Sequence, residues 1–338
     1  MSTPIQTGLL AYGLSGRVFH APFLAAHPGF RLRAVVERSQ QRAAADYPGL
    51  VSYGSVEELL HDSAIELVVV NTPSHTHFEL AQQALQAGKH VLMEKPVCTS
   101  VAELTALFAL ARTVGRHVLA YQNRRWDSDF QLVRQVVESG QLGPLTEAHF
   151  RFDRYKLPLN TKQFKEDPAL RGSGLLYDLG PHVLDQALSL FGPPRRVRKT
   201  LAAHRPGSRV DDYFHLHLEY AGGLNVFVGG SLLVAAPGPA YALHGTGGSF
   251  TKTRADVQEA QLDHGLSPLD AAYGHEPAVA EGRLTLVAED GTRTESAVAA
   301  PRGNYAALFE AVYQAVRHGQ PFPVREDELR WQLEALEM

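Results

Sequence analysis

Short apolar runs alternate with longer amphipathic stretches along the first third of the chain. The runs lie at residues 4–12, 30–36, 65–71, 89–93 and 117–121. The stretches between them have helical spacing, at residues 15–26, 55–62, 76–87 and 100–115. Two of them begin with a Ser-x-x-Glu capping signal, Ser55 with Glu58 and Ser100 with Glu103. This alternation predicts a parallel sheet flanked by helices over residues 1–122.

Beyond residue 140 the pattern changes to segments in which polar and apolar residues alternate. It is seen in HFRFDRY, RRVRKTLAAH, DYFHLHLEY, LNVFVGGSLL, GRLTLVAE and TRTESAV. Such alternation predicts an antiparallel sheet with one covered face. Helices are predicted at residues 127–139, 174–191, 303–318 and 325–336. The predicted fold class is therefore α/β, with an N-terminal parallel sheet domain followed by an α+β domain at residues 123–338 whose open sheet is predominantly antiparallel.

Composition narrows the class of protein. A chain of 338 residues with 44% hydrophobic and 20% charged residues is an ordinary globular protein, long enough for two domains. The net charge of −4 provides no broad attraction for nucleic acid or an anionic membrane. The start has no signal-peptide pattern, and no apolar run approaches a membrane span, so we expect a soluble protein. The one cysteine, Cys98, excludes an internal disulfide and a multi-thiolate zinc site. We expect Cys98 to be buried and the protein to be cytoplasmic.

The first apolar run leads into a glycine turn and then a helix. The turn reads Ala11-Tyr12-Gly13-Leu14-Ser15-Gly16. This is the context of a dinucleotide-binding turn, with alanine at the position of the first glycine. The second glycine lets the backbone approach a pyrophosphate, and the third allows the helix to pack closely on the strand. We predict that five residues of this turn bind the cofactor: Ala11, Gly13, Leu14, Ser15 and Gly16.

The residues after the second strand bear on the choice of dinucleotide. Glu37 lies 21 residues after Gly16, where an acid accepts hydrogen bonds from the adenosine ribose and opposes a 2′-phosphate. Its neighbours Arg38 and Ser39 argue the other way, because a guanidinium and a hydroxyl can hold that phosphate. We assign all three to the cofactor site. The cofactor is NAD(P)(H), with a slight lean to NAD.

Two segments resemble the glucose–fructose oxidoreductase/inositol dehydrogenase (Gfo/Idh/MocA) family. They are Glu94-Lys95-Pro96 and GSGLLYDLGPHVLD at residues 172–185. Further segments are similar to the branch that contains NADP-dependent scyllo-inositol dehydrogenase, namely GLSGRVFHAPFL, YQNRRWDSDF, YDLGPHVLDQALSLFG and VDDYFHLHLEY. The resemblance covers nearly the whole chain. It implies a Rossmann domain joined to a predominantly antiparallel sheet domain, and a homodimer or homotetramer.

The resemblance also implies a catalytic set of Lys95, Asp178 and His182. Oxidising a carbinol to a ketone requires loss of the hydroxyl proton, which a histidine accepts near neutral pH, while an ammonium stabilises the developing alkoxide. Asp178 and His182 are four residues apart and share a helix face, so the carboxylate can orient the imidazole. Asp185 continues that face. Without the family, an Asp and a His at this spacing indicate a solvated surface pair.

Further positions follow from the resemblance. It implies a cis peptide bond before Pro96. It places Glu94 and Lys95 beside the cofactor, together with the strand-end residues Thr72, Pro73 and His77. Read without the family, His75 and His77 resemble half of the metal site of a hydrolase barrel, completed by Asp178 and His182. The glycine turn and the antiparallel second half favour the dinucleotide, so no metal is assigned.

The segment YQNRRWD, at residues 121–127, mixes hydrogen-bond donors with an aromatic face, which suits a polyhydroxylated ring. The same residues can instead hold two domains together. We name four substrate candidates: Arg124, Trp126, Tyr155 and Asp178. Where relatives carry a Trp-Gly and then a Tyr-Gly element, this chain has Tyr273-Gly274 and Glu281-Gly282, which questions inositol as the substrate.

The sequence thus predicts an oxidoreductase that transfers a hydride between NAD(P)(H) and a cyclitol, sugar or related polyol. One alternative is a protein that binds the dinucleotide and senses its redox state without turnover. The other is the metal-dependent hydrolase built on His75 and His77. The predicted partners are a small polyhydroxylated substrate and further copies of the chain, with neither nucleic acid nor membrane.

Overall fold

The computed structural model describes residues 3–38 and 41–338, which form two compact units. The first unit consists of Met1–Asn123, Gln258–Tyr273 and Asn304–Glu326. The second consists of Arg124–Val257, Gly274–Gly303 and Asp327–Met338. Each unit is therefore assembled from three separate stretches of chain.

A parallel sheet forms the centre of the first unit. Its strands within the described residues are β1 (Ile5–Leu9), β2 (Phe30–Val36), β3 (Val51–Tyr53), β4 (Leu67–Val70), β5 (His90–Met93) and β6 (Val118–Ala120). They lie in the order β3-β2-β1-β4-β5-β6, which is the order of a Rossmann fold. All four residues of β4 are buried, as expected for a strand covered on both faces. The edge strand β3 escaped the sequence analysis because three half-exposed residues carry no periodic signal.

Helices occupy the connections between these strands. A π-helical turn, Ser15–His20, precedes α1 (Ala21–Ala26). The later helices of this part of the chain are α2 (Ala43–Asp46), α3 (Val56–His61), α4 (His77–Gln86) and α5 (Val101–Val114). Both predicted caps are present, since the Ser55 and Ser100 hydroxyls accept hydrogen bonds from the Glu58 and Glu103 N–H groups at 3.2 Å. The predicted parallel α/β half of the fold is confirmed.

A mixed sheet forms the second unit. Its strands in the described part of the chain are β7 (Leu145–Arg151), β8 (Arg196–Ala202), β9 (Tyr213–Glu219), β10 (Asn225–Ser231), β11 (Tyr241–Gly245), β12 (Gly248–Lys252), β13 (Gly282–Val287) and β14 (Arg293–Val298). Their order is β14-β13-β12-β11-β7-β10-β9-β8. The pair β7–β10 is parallel and the other pairs are antiparallel. The hairpin β11–β12 was not predicted from the sequence.

Two helices pack on one face of this sheet. They are α6 (Ser128–Ser139) and α7 (Gly174–Phe191), of which α7 contacts β7, β9 and β10. Side chains on that face, such as Leu216 and Val226, are fully buried. On the opposite face, Phe227 and His217 are half-buried. The prediction of a sheet with one covered face is confirmed, and α7 has the predicted bounds.

The last three helices are divided between the units. They are α8 (Gln258–Asp263), α9 (Ala306–His318) and α10 (Glu326–Glu337). Helices α8 and α9 belong to the first unit, where Phe309 of α9 stacks on Phe23 of α1 with ring centroids 5.0 Å apart. Nearly all of α10 belongs to the second unit. Across residues 3–38 and 41–338, no helix combines the length and the apolar character that a bilayer crossing needs.

Candidate active site

The glycine turn after β1 is held by a side chain from the end of β4. The amide of Asn71 pairs with the Ala11 backbone, accepting from its N–H at 3.0 Å and donating to its carbonyl at 2.8 Å. A Cβ added to Gly16 would lie 2.3 Å from the Ala11 carbonyl oxygen. Position 16 therefore requires glycine, for the close approach that the sequence predicted.

The outer surface of the turn is open. Gly13 is exposed, and a Cβ placed there would meet no described atom within 4 Å. The neighbouring Leu14 side chain is 50% exposed. The surface beside Gly13 thus leaves room for a pyrophosphate, and a dinucleotide fits the residues present.

A cavity of about 710 Å³ adjoins this turn at the carboxyl ends of β1, β2 and β4. It brings together five of the predicted cofactor residues: Ala11, Glu37, Arg38, Thr72 and Pro73. Arg42, at the start of α2, also lines it and was not predicted. Ser39 lies outside the described residues. Ligands of open α/β sheets bind at this edge, so the cavity is the candidate adenosine site.

Glu37 is fixed in this cavity by contacts within the chain. Its carboxylate accepts from the N–H groups of Arg42 at 3.0 Å and Ala43 at 3.2 Å, and from the Ser52 hydroxyl at 3.0 Å. Glu37 therefore stabilises the first turn of α2. These bonds occupy much of the acceptor capacity that a ribose would use.

Glu94 anchors the segment that carries Lys95. Its carboxylate accepts from the Ser15 hydroxyl at 2.5 Å, lies 3.0 Å from His20 Nε2 and accepts from the Lys95 N–H at 3.3 Å. Burial opposes ionisation of Glu94, but the hydrogen bonds from His20 and Ser15 outweigh it and lower its pKa to about 2. The peptide bond between Lys95 and Pro96 is cis, as the family resemblance implied. His20, fully buried, was missed by the sequence analysis.

His77 joins the loops that follow β4 and β5. Its Nδ1 lies 2.7 Å from the Pro96 carbonyl oxygen and its Nε2 lies 2.8 Å from the Thr72 carbonyl oxygen. The ring is 1% exposed, and burial lowers its pKa. Both nitrogens are thus engaged by the backbone, and the sheet beside them is open. The hydrolase alternative, which needs a barrel and a free His77, is not supported.

Cys98 follows this segment and is fully buried, as predicted. Burial raises the pKa of its thiol, so the nucleophilic thiolate is disfavoured.

In the second unit, α7 positions the remaining catalytic candidates. His182 is 7% exposed, and its ring centroid lies 6.2 Å from that of Phe152. One turn earlier, Asp178 accepts a hydrogen bond from Lys165 Nζ at 2.8 Å. Lys165 was not predicted.

Asp185, on the next turn of α7, has a different partner. It forms two hydrogen bonds of 2.7 Å to the Arg125 guanidinium, which also donates to Glu328 at 3.0 Å. Burial alone would lower the pKa of Arg125, but the two carboxylates outweigh it and raise that pKa. Arg125 and Asp185 are therefore part of the folded core of the second unit.

The other arginine of the YQNRRWD segment lies beside an aromatic ring. Arg124, Arg154 and Arg254 place their guanidinium carbons 5.1, 5.0 and 4.0 Å from the Phe152 ring centroid. We call Phe152 and these three residues the arginine cluster. Of the other substrate candidates, Trp126 is half-buried and Tyr155 is 61% exposed. The sequence analysis placed Phe152 in the alternating segment HFRFDRY, but no signal in the sequence joined it to Arg254.

Comparison with known proteins agrees with this architecture. Residues 5–122 match the family model of an oxidoreductase family with an NAD-binding Rossmann fold, and residues 130–251 match a GFO/IDH/MocA C-terminal domain. The chain is 35% identical to scyllo-inositol 2-dehydrogenase (NADP(+)) IolW of Bacillus subtilis, over 96% of this chain and 89% of that protein. It is 31% identical to trans-1,2-dihydrobenzene-1,2-diol dehydrogenase of Mus musculus, over 62% and 60%.

Among solved structures, the yvaA protein of Bacillus subtilis superposes with a TM-score of 0.93 at 33% identity, covering 99% of this chain and 95% of that one. The fold and these matches define an NAD(P)-binding oxidoreductase. The chain belongs to the Gfo/Idh/MocA family.

Proposed function

We propose that this oxidoreductase interconverts the carbinol and ketone forms of a cyclitol, sugar or related polyol. Residues 1–122 hold the dinucleotide and residues 123–338 provide the substrate site. The observation that carries the proposal is the open turn at Gly13, next to a cavity lined by Glu37, Arg38 and Thr72. When bound there, the nicotinamide dinucleotide accepts or donates the hydride.

The chain's own residues handle the proton and the charge. His182 takes the hydroxyl proton in the oxidation and returns it in the reduction. The Lys95 ammonium stabilises negative charge that develops on the carbinol oxygen, and the Glu94 contacts hold the Lys95 backbone in place. Asp178, which accepts a hydrogen bond from Lys165 and lies one helical turn before His182, is assigned the role of orienting that imidazole. These roles come from the resemblance and are supported by the local chemistry of each group.

A substrate panel tests the proposal. Inositols, sugars and sugar derivatives are mixed with the protein and either NAD or NADP, and the absorbance of the reduced nicotinamide is followed. We expect turnover with at least one polyol. Dinucleotide binding without consumption across the panel would favour the redox-sensor alternative, and absence of dinucleotide binding would overturn both.

We further propose a preference for NADP, against the slight lean to NAD from the sequence. Three contacts within the chain already use the Glu37 carboxylate, while Arg38 and Arg42 supply two guanidinium groups to the same cavity. Guanidinium groups suit a 2′-phosphate. Arg42→Gln should lower the ratio of kcat/KM for NADP to that for NAD about tenfold. The exposed Arg31→Gln is the charge-matched control, and an unchanged ratio in Arg42→Gln would contradict the assignment.

The open face of the mixed sheet is the proposed site of self-association. Phe227 lies on this face in β10, stacked on His149 at 5.0 Å and on His217 at 4.7 Å between ring centroids. A second copy that presents the same face would cover these rings by two-fold symmetry. Light scattering should report a dimer or tetramer for the wild type and a monomer for Phe227→Asp, with the exposed Leu269→Asp unchanged. A monomeric wild type would refute the proposed self-association. The cytoplasmic location stays a prediction from the single cysteine.

A further inference from the structure

A second cavity, of about 720 Å³, lies in the first unit at the edge of the parallel sheet opposite the cofactor cavity. Its wall includes residues at or just before the starts of β4, β5 and β6, which are neighbours in the sheet. Parallel strands all begin at the same edge of a sheet, so these residues converge there. We call this space the amino-edge cavity. Its polar and charged lining residues are His61, Ser63, Glu66, Lys89, His90 and Arg116.

Lys89 places a buried cation in this cavity. The residue is 5% exposed, and its ammonium donates one hydrogen bond, of 2.8 Å, to the Asp62 carbonyl oxygen. An ammonium has three donors, and the other two have no acceptor within residues 3–38 and 41–338. Burial lowers the pKa of Lys89, as expected for a charge that the protein compensates only in part.

Two carboxylates near the cavity are paired with other groups. Glu66 accepts hydrogen bonds from the Arg317 guanidinium at 2.6 and 2.8 Å. Asp62 accepts from Arg33 Nε at 2.8 Å. Both carboxylates therefore act on the Lys89 ammonium only at longer range, and neither neutralises it by direct contact.

Two further donor groups line the amino-edge cavity. Arg116 donates through Nε to the Gly88 carbonyl at 2.5 Å and through Nη1 to the Gly115 carbonyl at 3.1 Å, which leaves Nη2 without an acceptor in the described chain. His90 Nδ1 accepts from the His117 N–H at 3.1 Å, so the neutral ring carries its proton on Nε2. Burial and then the neighbouring His117 and Arg116 lower the pKa of His90 to about 4. His90 is therefore a neutral donor at pH 7.

Helix capping accounts for part of this arrangement. Asp62, Gly88 and Gly115 lie at or after the ends of α3, α4 and α5, where carbonyl groups carry a partial negative charge. The contacts of Lys89 and Arg116 with these carbonyls cap the three helices. Capping uses one donor of the Lys89 ammonium and leaves Nη2 of Arg116 unused, so donors remain for a ligand.

We propose that the amino-edge cavity binds the phosphate group of a small molecule through Lys89, His90 and Arg116. Phosphate oxygens accept charge-assisted hydrogen bonds from an ammonium and a guanidinium, and a neutral imidazole N–H supplies a further donor. Free phosphate and a phosphate ester share this chemistry, and the cavity has room for either. This site is separate from the cofactor cavity and does not depend on the proposed oxidoreductase function.

Calorimetric titration of the full chain tests the assignment with inorganic phosphate, glycerol 3-phosphate, acetate and glycerol. Excess NADP is present throughout, to occupy the cofactor cavity. We expect at least one phosphate ligand to bind about tenfold or more tightly than acetate and glycerol, with an affinity that falls as salt is added. The phosphate ligand that binds more tightly identifies free phosphate or an ester as the natural ligand. Equal binding of all four compounds, or no phosphate binding at millimolar concentration, would overturn the assignment.

Variants then locate the binding. Arg116 is exposed, so Arg116→Gln should fold and should weaken phosphate binding about tenfold. Lys89→Met removes the buried ammonium and should abolish binding; if this variant does not fold, Arg116→Gln decides. Arg42→Gln is the matched control, because it removes an exposed guanidinium from the cofactor cavity and should leave phosphate binding unchanged. An equal loss in Arg42→Gln, or no loss in Arg116→Gln, would refute the site.

NMR spectra of the histidine rings locate the ligand independently. The His90 signals, identified by their loss in His90→Gln, should shift during titration with the phosphate ligand, whereas those of the exposed His204 should not. Bound ligand with unshifted His90 signals would contradict the proposal. These measurements need no turnover, so the phosphate site and the oxidoreductase proposal fail separately.

Discussion

Two adjacent arginines in the chain have opposite surroundings in the second unit. Arg125 is buried against two carboxylates, Asp185 and Glu328, which match its charge and its fork of donors. Arg124 shares Asp127 with Arg254 beside the Phe152 ring. A buried charge that is paired inside the chain contributes to the fold. The sequence offered two roles for this segment, domain packing and substrate binding. The ion pairs of Arg125 support the packing role, and the substrate role of Arg124 stays a prediction.

The largest expected effect is on activity, at His182 beside the Phe152 ring. His182→Ala should lower turnover about a thousandfold, because general acid–base catalysis contributes roughly 10²–10⁴. Dinucleotide binding should stay close to wild type, and the variant should remain folded although the loss of a buried ring lowers its free energy of unfolding. Steady-state kinetics, dinucleotide fluorescence titration and urea unfolding give the three readouts, and the exposed His204→Ala is the matched control. Full activity in His182→Ala would defeat its assignment.

Breaking the ion pairs of Arg125 should lower the stability of the fold rather than the activity. Asp185→Asn removes one of the two carboxylates that pair with the buried Arg125 guanidinium. The loss should lower the free energy of unfolding by about 3–5 kcal/mol. The exposed Asp290→Asn should change stability by less than about 0.5 kcal/mol. Urea unfolding measures both. If Asp185→Asn kept its stability and lost substrate binding, the contrast between Arg125 and the arginine cluster would be wrong.

A smaller, pH-dependent effect on the free energy of unfolding should come from Glu94, the buried carboxylate of the first unit. The pKa of Glu94 is lowered from 4.5 to about 2, so its contribution is fully present above pH 4.5 and is lost as the pH falls to about 2. Over that range the wild type should lose up to about 3 kcal/mol from this group. Glu94→Gln should be less stable near neutral pH and should show a shallower loss in acid. Unfolding by urea at several pH values measures this, with the exposed Glu57→Gln as control; parallel pH profiles for Glu94→Gln and wild type would contradict it.

Local features were predictable because the signal and the structure lie within a few residues. Helix α7 has the bounds that its periodicity indicated, and Ser55 and Ser100 cap their helices. Gly16 packs against Ala11, five residues earlier in the chain. Strand β3 was missed because its three residues are too few to show a period, and its pairing with β2 defines it.

Contacts between distant residues were not predictable in this way. His20 reaches Glu94 across 74 residues, and Arg17 reaches Asp263 across 246. No spacing rule connects such pairs, since their proximity depends on the order of strands in the sheet. Arg42 was missed in the cofactor cavity because the cavity joins α2 to residues such as Thr72 that are distant in the sequence.

The sequence by itself determined the parallel half of the fold, the predominantly antiparallel half, the glycine turn and the residue types available for hydride-transfer chemistry. Periodicity, turn geometry and motif spacing are properties of neighbouring residues. Only the tertiary structure decided which distant residues pair their charges. Pairing a buried charge requires a partner at hydrogen-bond distance, and it was folding that brought Asp185 and Glu328 to Arg125 and left Arg254 sharing Asp127 beside Phe152.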